Sequence, residues 1–551
     1  MDQSNDGLYL LDYGAGNSGS VINAVEFLGY KINVIKNEKD FENAKKVIFP
    51  GVGSFDHAMR QLRNKGFIEP LLKYVAAGKP LLGICVGMQV LFEGSEESPS
   101  EQGLGILKGR VSKFSDENKT VPNIGWNSAV IVQEGEKAND FYGVVDKSFY
   151  FVHSYAVMYT GSEDQLDYVY SASRYKDEVF VSSVWKDNIF ATQFHPEKSG
   201  KVGLKILEQF IKNAMPRVGA TQGTATQPEA VESLLSVRVV ACMDVRENDH
   251  GDLVVTKGDQ YDVREDKGEG QVRNLGKPVD LATKYYTEGA DEVVFLNITS
   301  FRNIPVNDYP MLEILRRASK TVFVPMTVGG GIRSITDPAS NKVYSAVDIA
   351  DLYFRAGADK ISIGSDSVYA AENYINSNRT LDGSSSVEQI SKQYGSQAVV
   401  VSIDPKRVYV DHPSCTSHTT IKTMKPGPNN EEYCWFQVTV KGGREARDLD
   451  VVQLATAVQA LGAGEILLNC IDTDGSNSGY DLELLSLVRK HVTIPIVASS
   501  GAGKPDHFLQ AINIARSDAV LAAGVFHRDQ LKINDVKRYL MDSGVNTRPS
   551  L

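Results

Sequence analysis

Residues 289–294, Gly289-Ala290-Asp291-Glu292-Val293-Val294, return in altered form as Gly462-Ala463-Gly464-Glu465-Ile466-Leu467. Each copy sets a glycine-bearing turn ahead of an acidic residue and a short apolar run, the pattern of a loop feeding a buried strand. The echo extends outward, because Val328-Gly329-Gly330-Gly331 is matched by Ser499-Ser500-Gly501-Ala502-Gly503. Apolar strand candidates recur at 237–244, 292–298, 321–328, 360–363, 398–404, 465–471, 494–499 and 519–523, with helical stretches between them. Eight strands in two matching halves predict a closed (β/α)8 barrel over residues 237–551. The long segments 246–276, 332–352 and 406–447 read as loop insertions. Each follows a strand and therefore belongs to the C-terminal face, where barrel active sites lie.

Ahead of the barrel, residues 1–212 alternate short apolar runs, such as Val47-Ile48-Phe49 and Leu81-Leu82-Gly83-Ile84, with helix-period stretches. That alternation predicts a mostly parallel, open α/β sheet. Residues 213–236 carry Pro, Gly and Thr in their first half and read as a linker. A chain of 551 residues has length for two enzymes. Its net charge of −11 opposes polyanion binding, so no nucleic-acid partner is expected. No apolar run approaches the roughly 20 residues of a membrane span. Five scattered cysteines lack metal-ligand spacing and read as reduced thiols. The short acidic start before Leu8 leaves no room for a targeting peptide, so the cytoplasm is the expected compartment. A plastid precursor already trimmed would look the same.

Two constellations carry chemistry. Gly83-Ile84-Cys85-Val86-Gly87 places a cysteine at a strand-to-helix turn between glycines, the pattern of a nucleophile elbow; alone it also fits a small buried hydrophobe. Phe194-His195-Pro196-Glu197 adds an imidazole and a carboxylate that can activate a thiol and orient the base. In the barrel, Asp244 and Asp404 end matching strands one and five, where a pair can divide acid and base work. Glycine turns at Gly330-Gly331 and Gly501, with small residues Gly364-Ser365 and Ala523-Gly524 after strands four and eight, predict one phosphate site per half. Arg238, Glu292, Lys360 and Glu465 start strands one, two, four and six, so they ring the opposite end.

Together Cys85 and the His-Pro-Glu motif resemble class I glutamine amidotransferases. The barrel resembles the cyclase half of the imidazole glycerol phosphate synthase family, through Ala241-Cys242-Met243-Asp244-Val245, Thr327-Val328-Gly329-Gly330-Gly331-Ile332, Asp472-Thr473-Asp474-Gly475 and Val525-Phe526-His527. The first part matches through Ile124-Gly125-Trp126-Asn127 and His195-Pro196-Glu197-Lys198-Ser199, in the order of the fused eukaryotic form. The resemblance implies that Cys85 attacks the glutamine amide, His195 shuttles the proton and Glu197 orients it. It implies an oxyanion loop at Gly51 and Gly53, and glutamine contacts from Gln89, His153 and Ser154. In the barrel it implies acid–base roles for Asp244 and Asp404, a loop cation at Lys257, and ribotide contacts from Asn469, Asp474 and Gly475. Asn297 stands where many barrel-only relatives carry Asp on strand two, and so carries no acid–base role. The ring Arg238, Glu292, Lys360 and Glu465 would be an ammonia gate, and Lys198 and Asp359 would pair across the domains. The substrates implied are glutamine and a bisphosphorylated ribotide, with no metal or organic cofactor. With both activities on one chain, a monomer is expected. The rivals are a glutaminase serving another acceptor, a bisphosphate isomerase that would not need Cys85 or His195, and a silent sensor that would need neither the elbow nor the aspartate pair.

Overall fold

The computed structural model describes residues 7–14, 17–132, 147–212, 226–232, 235–247, 253–256, 277–298, 310–337 and 340–549. The N-terminal sheet runs in the order Asn33–Val34, Leu8–Leu10, Lys46–Phe49, Leu81–Ile84, Ile189–Thr192, Glu178–Lys186, Val169–Tyr175 and Val130–Ile131. It is parallel across the first five strands and antiparallel across the rest, mostly parallel as the sequence predicts. Leu81–Ile84 is buried at every residue, as a strand covered on both faces must be. The helix Phe55–Asn64 follows the third of these strands; Ser54 caps it by accepting from the His57 amide, and it buries Phe55, Ala58, Met59 and Leu62 along one stripe.

The second unit is a closed parallel barrel. Its strands are Arg238–Glu247, Glu292–Asn297, Met326–Gly329, Lys360–Ile363, Val399–Val410, Glu465–Asn469, Ile496–Ser499 and Ala519–Ala522, and the last pairs with the first. Side chains alternate inward and outward with the period of two of a strand. From bottom to top the interior therefore reads in layers: charged Arg238, Glu292, Lys360 and Glu465, then apolar Val240, Val294, Val400, Leu467, Val497 and Leu521, then the mouth. The outward residues pack under the surrounding helices in one large core.

Three stretches differ from expectation. Strand three begins at Met326, not 321, since Pro325 has no N–H to give to a ladder. Within 332–352 lies the start of the helix Ala346–Ala356, announced by a capping box between Ser345 and Asp348. Segment 406–447 is ordered sheet: strand five continues past Asp404 and pairs antiparallel with Tyr433–Val440, which pairs in turn with Thr420–Lys422 and Glu445–Asp450. Of 246–276, Leu253–Thr256 folds back onto strand one; Lys257 lies outside the described residues. Linker residues 213–225 are also outside them, whereas the end of the segment is fixed to the first unit: Arg174 donates to the carbonyls of Pro228 (2.6 Å) and Val231 (2.7 Å), and Tyr159 to that of Thr226 (2.7 Å).

The N-terminal unit sits on the barrel bottom. Trp126 Nε1 donates to the Asp291 carbonyl (3.1 Å), the Arg548 guanidinium lies 4.1 Å from the Trp126 ring, Gly200 N donates to Phe323 O (2.8 Å), and Val121 N donates to Thr493 O (3.0 Å). Among the described residues no helix is long and apolar enough to cross a membrane.

Candidate active sites

Cys85 follows the buried strand Leu81–Ile84 at φ 52°, a strained backbone for a residue with a Cβ. The strain is held by close packing that only glycines permit. A methyl group on Gly87 would fall 2.1 Å from the Phe49 carbonyl, and one on Gly51 2.4 Å from the Gly87 nitrogen. The Pro50–Gly53 turn thus lies against the start of the helix that carries Cys85. His195 Nδ1 is 2.8 Å from Glu197 Oε1, and all three side chains are buried. Burial alone would lower the His195 pKa; the Glu197 carboxylate and the Cys85 sulfur outweigh it and hold the imidazole well above its ordinary value.

Gln89 donates to the Tyr155 carbonyl (2.9 Å) and to Gln193 Oε1 (3.1 Å), and Gln193 Nε2 reaches Cys85 Sγ at 3.5 Å. His153 lies deeper, between the Tyr155 carbonyl (2.9 Å) and Asn123 (3.4 Å). Burial pushes its pKa down to about 3, so it is neutral. Ser154 meets Ser396 of the barrel at 3.4 Å. Three residues beyond the sequence reading join this neighbourhood: Gln193, Glu97 and Tyr150. Glu97 accepts from the Phe55 amide at the head of the helix after the glycine turn (2.8 Å), and burial raises its pKa to about 7. Tyr150 carries a buried hydroxyl with no partner among the described residues. Gln193 could have been found from its place two residues before His195; nothing local marks Tyr150.

On the barrel side of Cys85 is a cavity of about 20 Å3, room for about one water. Gly53, Cys85, Tyr150, His195, Lys198 and Asp359 are among its walls. Lys198 Nζ meets Asp359 Oδ2 at 2.8 Å across the two units, both largely buried. Asp359 also accepts from Asn17 (3.1 Å) and from the Met326 amide (2.8 Å). Next above stands the charged ring. Arg238 binds Glu292 (2.6 Å) and Glu465, and Lys360 binds Glu292 (2.8 Å) and Glu465 (2.5 Å). Four full charges with no exposure survive there because each has an opposite partner on either side.

The mouth holds a cavity of about 530 Å3. Asp244, Asp404, Asn469, Asp474, Gly475, Gly501, Ala523 and Gly524 all line it. Gly330, Gly331, Gly364 and Ser365 do not; Ser365 Oγ instead accepts from the Lys441 amide at 2.8 Å, where the tip of the 433–450 hairpin lies against it. Burial raises the Asp404 pKa against the opposing hydrogen bond from Asn469 (2.9 Å), suiting a carboxyl that takes and returns a proton. Gly330 and Gly501 have φ of 97° and 99°, and a methyl on either would strike a carbonyl oxygen at 2.2 Å. The mouth also includes Cys242, His527, Arg528 and the hairpin residues Gly442, Gly443 and Arg444, none of which the sequence reading assigned to substrate. Among the described residues no group of three or more His, Cys, Asp or Glu is arranged to hold a metal ion.

The chain matches the model of class-I glutamine amidotransferases over residues 9–214 and that of the histidine biosynthesis proteins over 238–532. It is 52% identical to the imidazole glycerol phosphate synthase hisHF of Schizosaccharomyces pombe, over 96% of this chain and 98% of that protein. It is also 52% identical to the chloroplastic hisHF of Arabidopsis thaliana, over 98% of this chain and 89% of the relative. The imidazole glycerol phosphate synthase subunit HisF of Methanosphaera stadtmanae is 38% identical over its full length, covering 57% of this chain.

Proposed function

The chain belongs to the bifunctional imidazole glycerol phosphate synthase family, and we propose that its two sites work as one ammonia-transfer machine. It is a glutamine amidotransferase joined to a cyclase of histidine biosynthesis. Glutamine supplies ammonia at the N-terminal site. The barrel uses it to convert phosphoribulosyl-formimino-aminoimidazole-carboxamide ribotide into imidazole glycerol phosphate and aminoimidazole-carboxamide ribotide.

Cys85 Sγ attacks the side-chain amide carbon of glutamine, and amides of the Gly51–Gly53 turn stabilise the oxyanion. The imidazolium of His195, oriented by Glu197, passes the thiol's proton to the amide nitrogen as its C–N bond breaks, so that neutral ammonia leaves, and water then releases glutamate from the thioester. Gln89, His153, Ser154 and Glu97 shape the glutamine pocket. Asp404 and Asp244 exchange protons with the ribotide across the mouth, backbone at Gly501, Ala523 and Gly524 holds a phosphate there, and Lys257, outside the described residues, is the cation that the family resemblance assigns to substrate. No resident metal or organic cofactor is needed for these steps. The observation that carries the reading is the single line from Cys85 through the small cavity and the charged ring into the apolar barrel and up to Asp404. Neutral ammonia can enter a Val- and Leu-lined interior, whereas ammonium cannot shed its water there. Lys198 and Asp359 tie the two sites mechanically, with a glutaminase unit over 1–212, a linker over 213–236 and a cyclase unit over 237–551. The chain acts as a monomer in the cytosol, or in a plastid if the plant relative's location applies. Sedimentation and cell fractionation test those two points.

The test of function measures glutamine hydrolysis with and without the ribotide, together with imidazole glycerol phosphate formed. Hydrolysis stimulated by the ribotide, with about one product per glutamine, is expected. Hydrolysis without any cyclised product overturns the reading.

A further inference from the structure

The mouth is poorly suited, on its acidic side chains alone, to the substrate it is to hold. Asp244, Asp404 and Asp474 line it, while a phosphate monoester near pH 7 brings about −1.5 to −2 charges and the ribotide has two. Among the described lining residues the cationic side chains are Arg444 and Arg528; His527 stays neutral, since burial drives its pKa down to about 4. The two arginines arrive from opposite sides. Arg444 follows the hairpin tip whose Lys441 amide is anchored on Ser365 after strand four (2.8 Å), so it stands over the strand-four side. Lys441, Gly442 and Gly443 all have positive φ (55°, 68° and 79°), a sharp turn that aims the next residue back to the mouth. Arg528 follows strand eight, and its Nη2 comes within 2.9 Å of where a methyl group on Gly524 would be. Strands four and eight are opposite in a closed eight-stranded barrel.

Resting on the cyclase reading above, we propose that Arg444 and Arg528 each bind one phosphate of the ribotide, so that the mouth recognises a molecule with an anion at each end. A guanidinium offers a bidentate fork to phosphate oxygens, and two forks across the mouth offset the repulsion of the three carboxylates. On the strand-eight side, backbone at Gly501 and Gly524, which line the mouth, completes the cradle, and on the other side the backbone of Gly442 and Gly443 does so. The sequence echo alone would make the two ends alike; the arginines make them different, one from an insertion and one from the strand-eight helix.

The experiment uses the full chain with ammonium as nitrogen donor, comparing wild type with Arg444→Gln, Arg528→Gln and the corresponding Lys variants, each checked for an unchanged melting temperature. Each Gln variant is expected to raise KM for the ribotide at least about tenfold, with partial recovery in the Lys variant. The two products then distinguish the ends, because cleavage leaves one phosphate on each. One Gln variant should weaken inhibition by imidazole glycerol phosphate, and the other inhibition by aminoimidazole-carboxamide ribotide. A KM unchanged in either variant, or both variants weakening the same product, overturns the assignment. A wild-type enzyme that fails to cyclise the ribotide overturns the cyclase reading instead.

Discussion

The two ends of the barrel solve opposite problems. At the bottom, a cavity of about 20 Å3 is walled by a buried thiol, a buried imidazole and the largely buried Lys198–Asp359 ion pair. At the top, about 530 Å3 opens among carboxylates, glycines and arginines. The lower site generates a small neutral molecule and must not lose it to water, where it would be protonated. The upper site must admit a large bisphosphorylated substrate and so cannot be closed in the same way. The contrast teaches that burial follows the cargo: tight where the traveller is ammonia, roomy where it is a ribotide.

The sharpest way to break this division is Cys85→Ala. Glutamine-dependent product formation should fall by roughly 10^3-fold or more, while cyclisation with ammonium salts persists; loss of both in a folded variant would mean that the ends are not separable. The mirror change, Asp404→Asn or Asp244→Asn, should lower cyclisation from either nitrogen source by roughly 10^2 to 10^4-fold. Normal product yield from either variant removes that carboxyl from the chemistry.

Between the ends, the ring and the interdomain pair test communication. Deleting one buried charge strands its partner at ~3–5 kcal/mol, so the double variant Lys360→Met/Glu465→Gln is the better probe, as it leaves the Arg238–Glu292 pair intact. Several molecules of glutamine should be consumed per product, with ammonium-dependent cyclisation less affected. A stoichiometry still near one would place the ammonia route elsewhere. Lys198→Ala should reduce the ribotide stimulation of glutamine hydrolysis severalfold, read as the ratio of rates with and without ribotide; an unaltered ratio assigns the signal to other contacts.

The smallest effect is on pH stability, and each end has a histidine to report it. His153 and His527 titrate near 3 and 4 in the fold against 6.5 in an unfolded chain. Between those values the unfolded chain binds more protons, so both histidines favour folding above pH 6.5 and lose that contribution as pH falls towards 4. Each is worth ~1.4 kcal/mol per pH unit in that window. In His527→Gln, the fall of melting temperature from pH 6.5 to 5 should be shallower than in wild type. Equal slopes would show that His527 is not buried as described.

Much of this was legible because it rests on short-range pattern. The elbow lies within five residues, the echo of Glu292 and Glu465 marks matching strand starts, and strand periodicity then aims both of them inward. What was missed depends on the approach of distant segments. Tyr150 gains its position only when its strand docks beneath the barrel, and Arg444 reaches the mouth only because strand five runs on into a hairpin. The two turns also differ around the cavity in a way no local motif announces: the Lys441 amide donates to Ser365 on one side, whereas Ala523 and Gly524 line the mouth on the other. The helix at Ala346 was readable from Ser345 and Asp348, but the length of the segment before it suggested a loop.

The pairing of Arg238–Glu247 with Ala519–Ala522 also has a temporal side. Strand one leaves the ribosome long before strand eight, so the cylinder cannot shut until nearly all of the second unit has been made, while the first unit can already be folded. During that interval Trp126 waits without Asp291 and Arg548, its later neighbours. A nascent chain stalled in the barrel therefore leaves the Trp126 ring without its guanidinium cover, and chaperone demand should fall once Arg548 emerges.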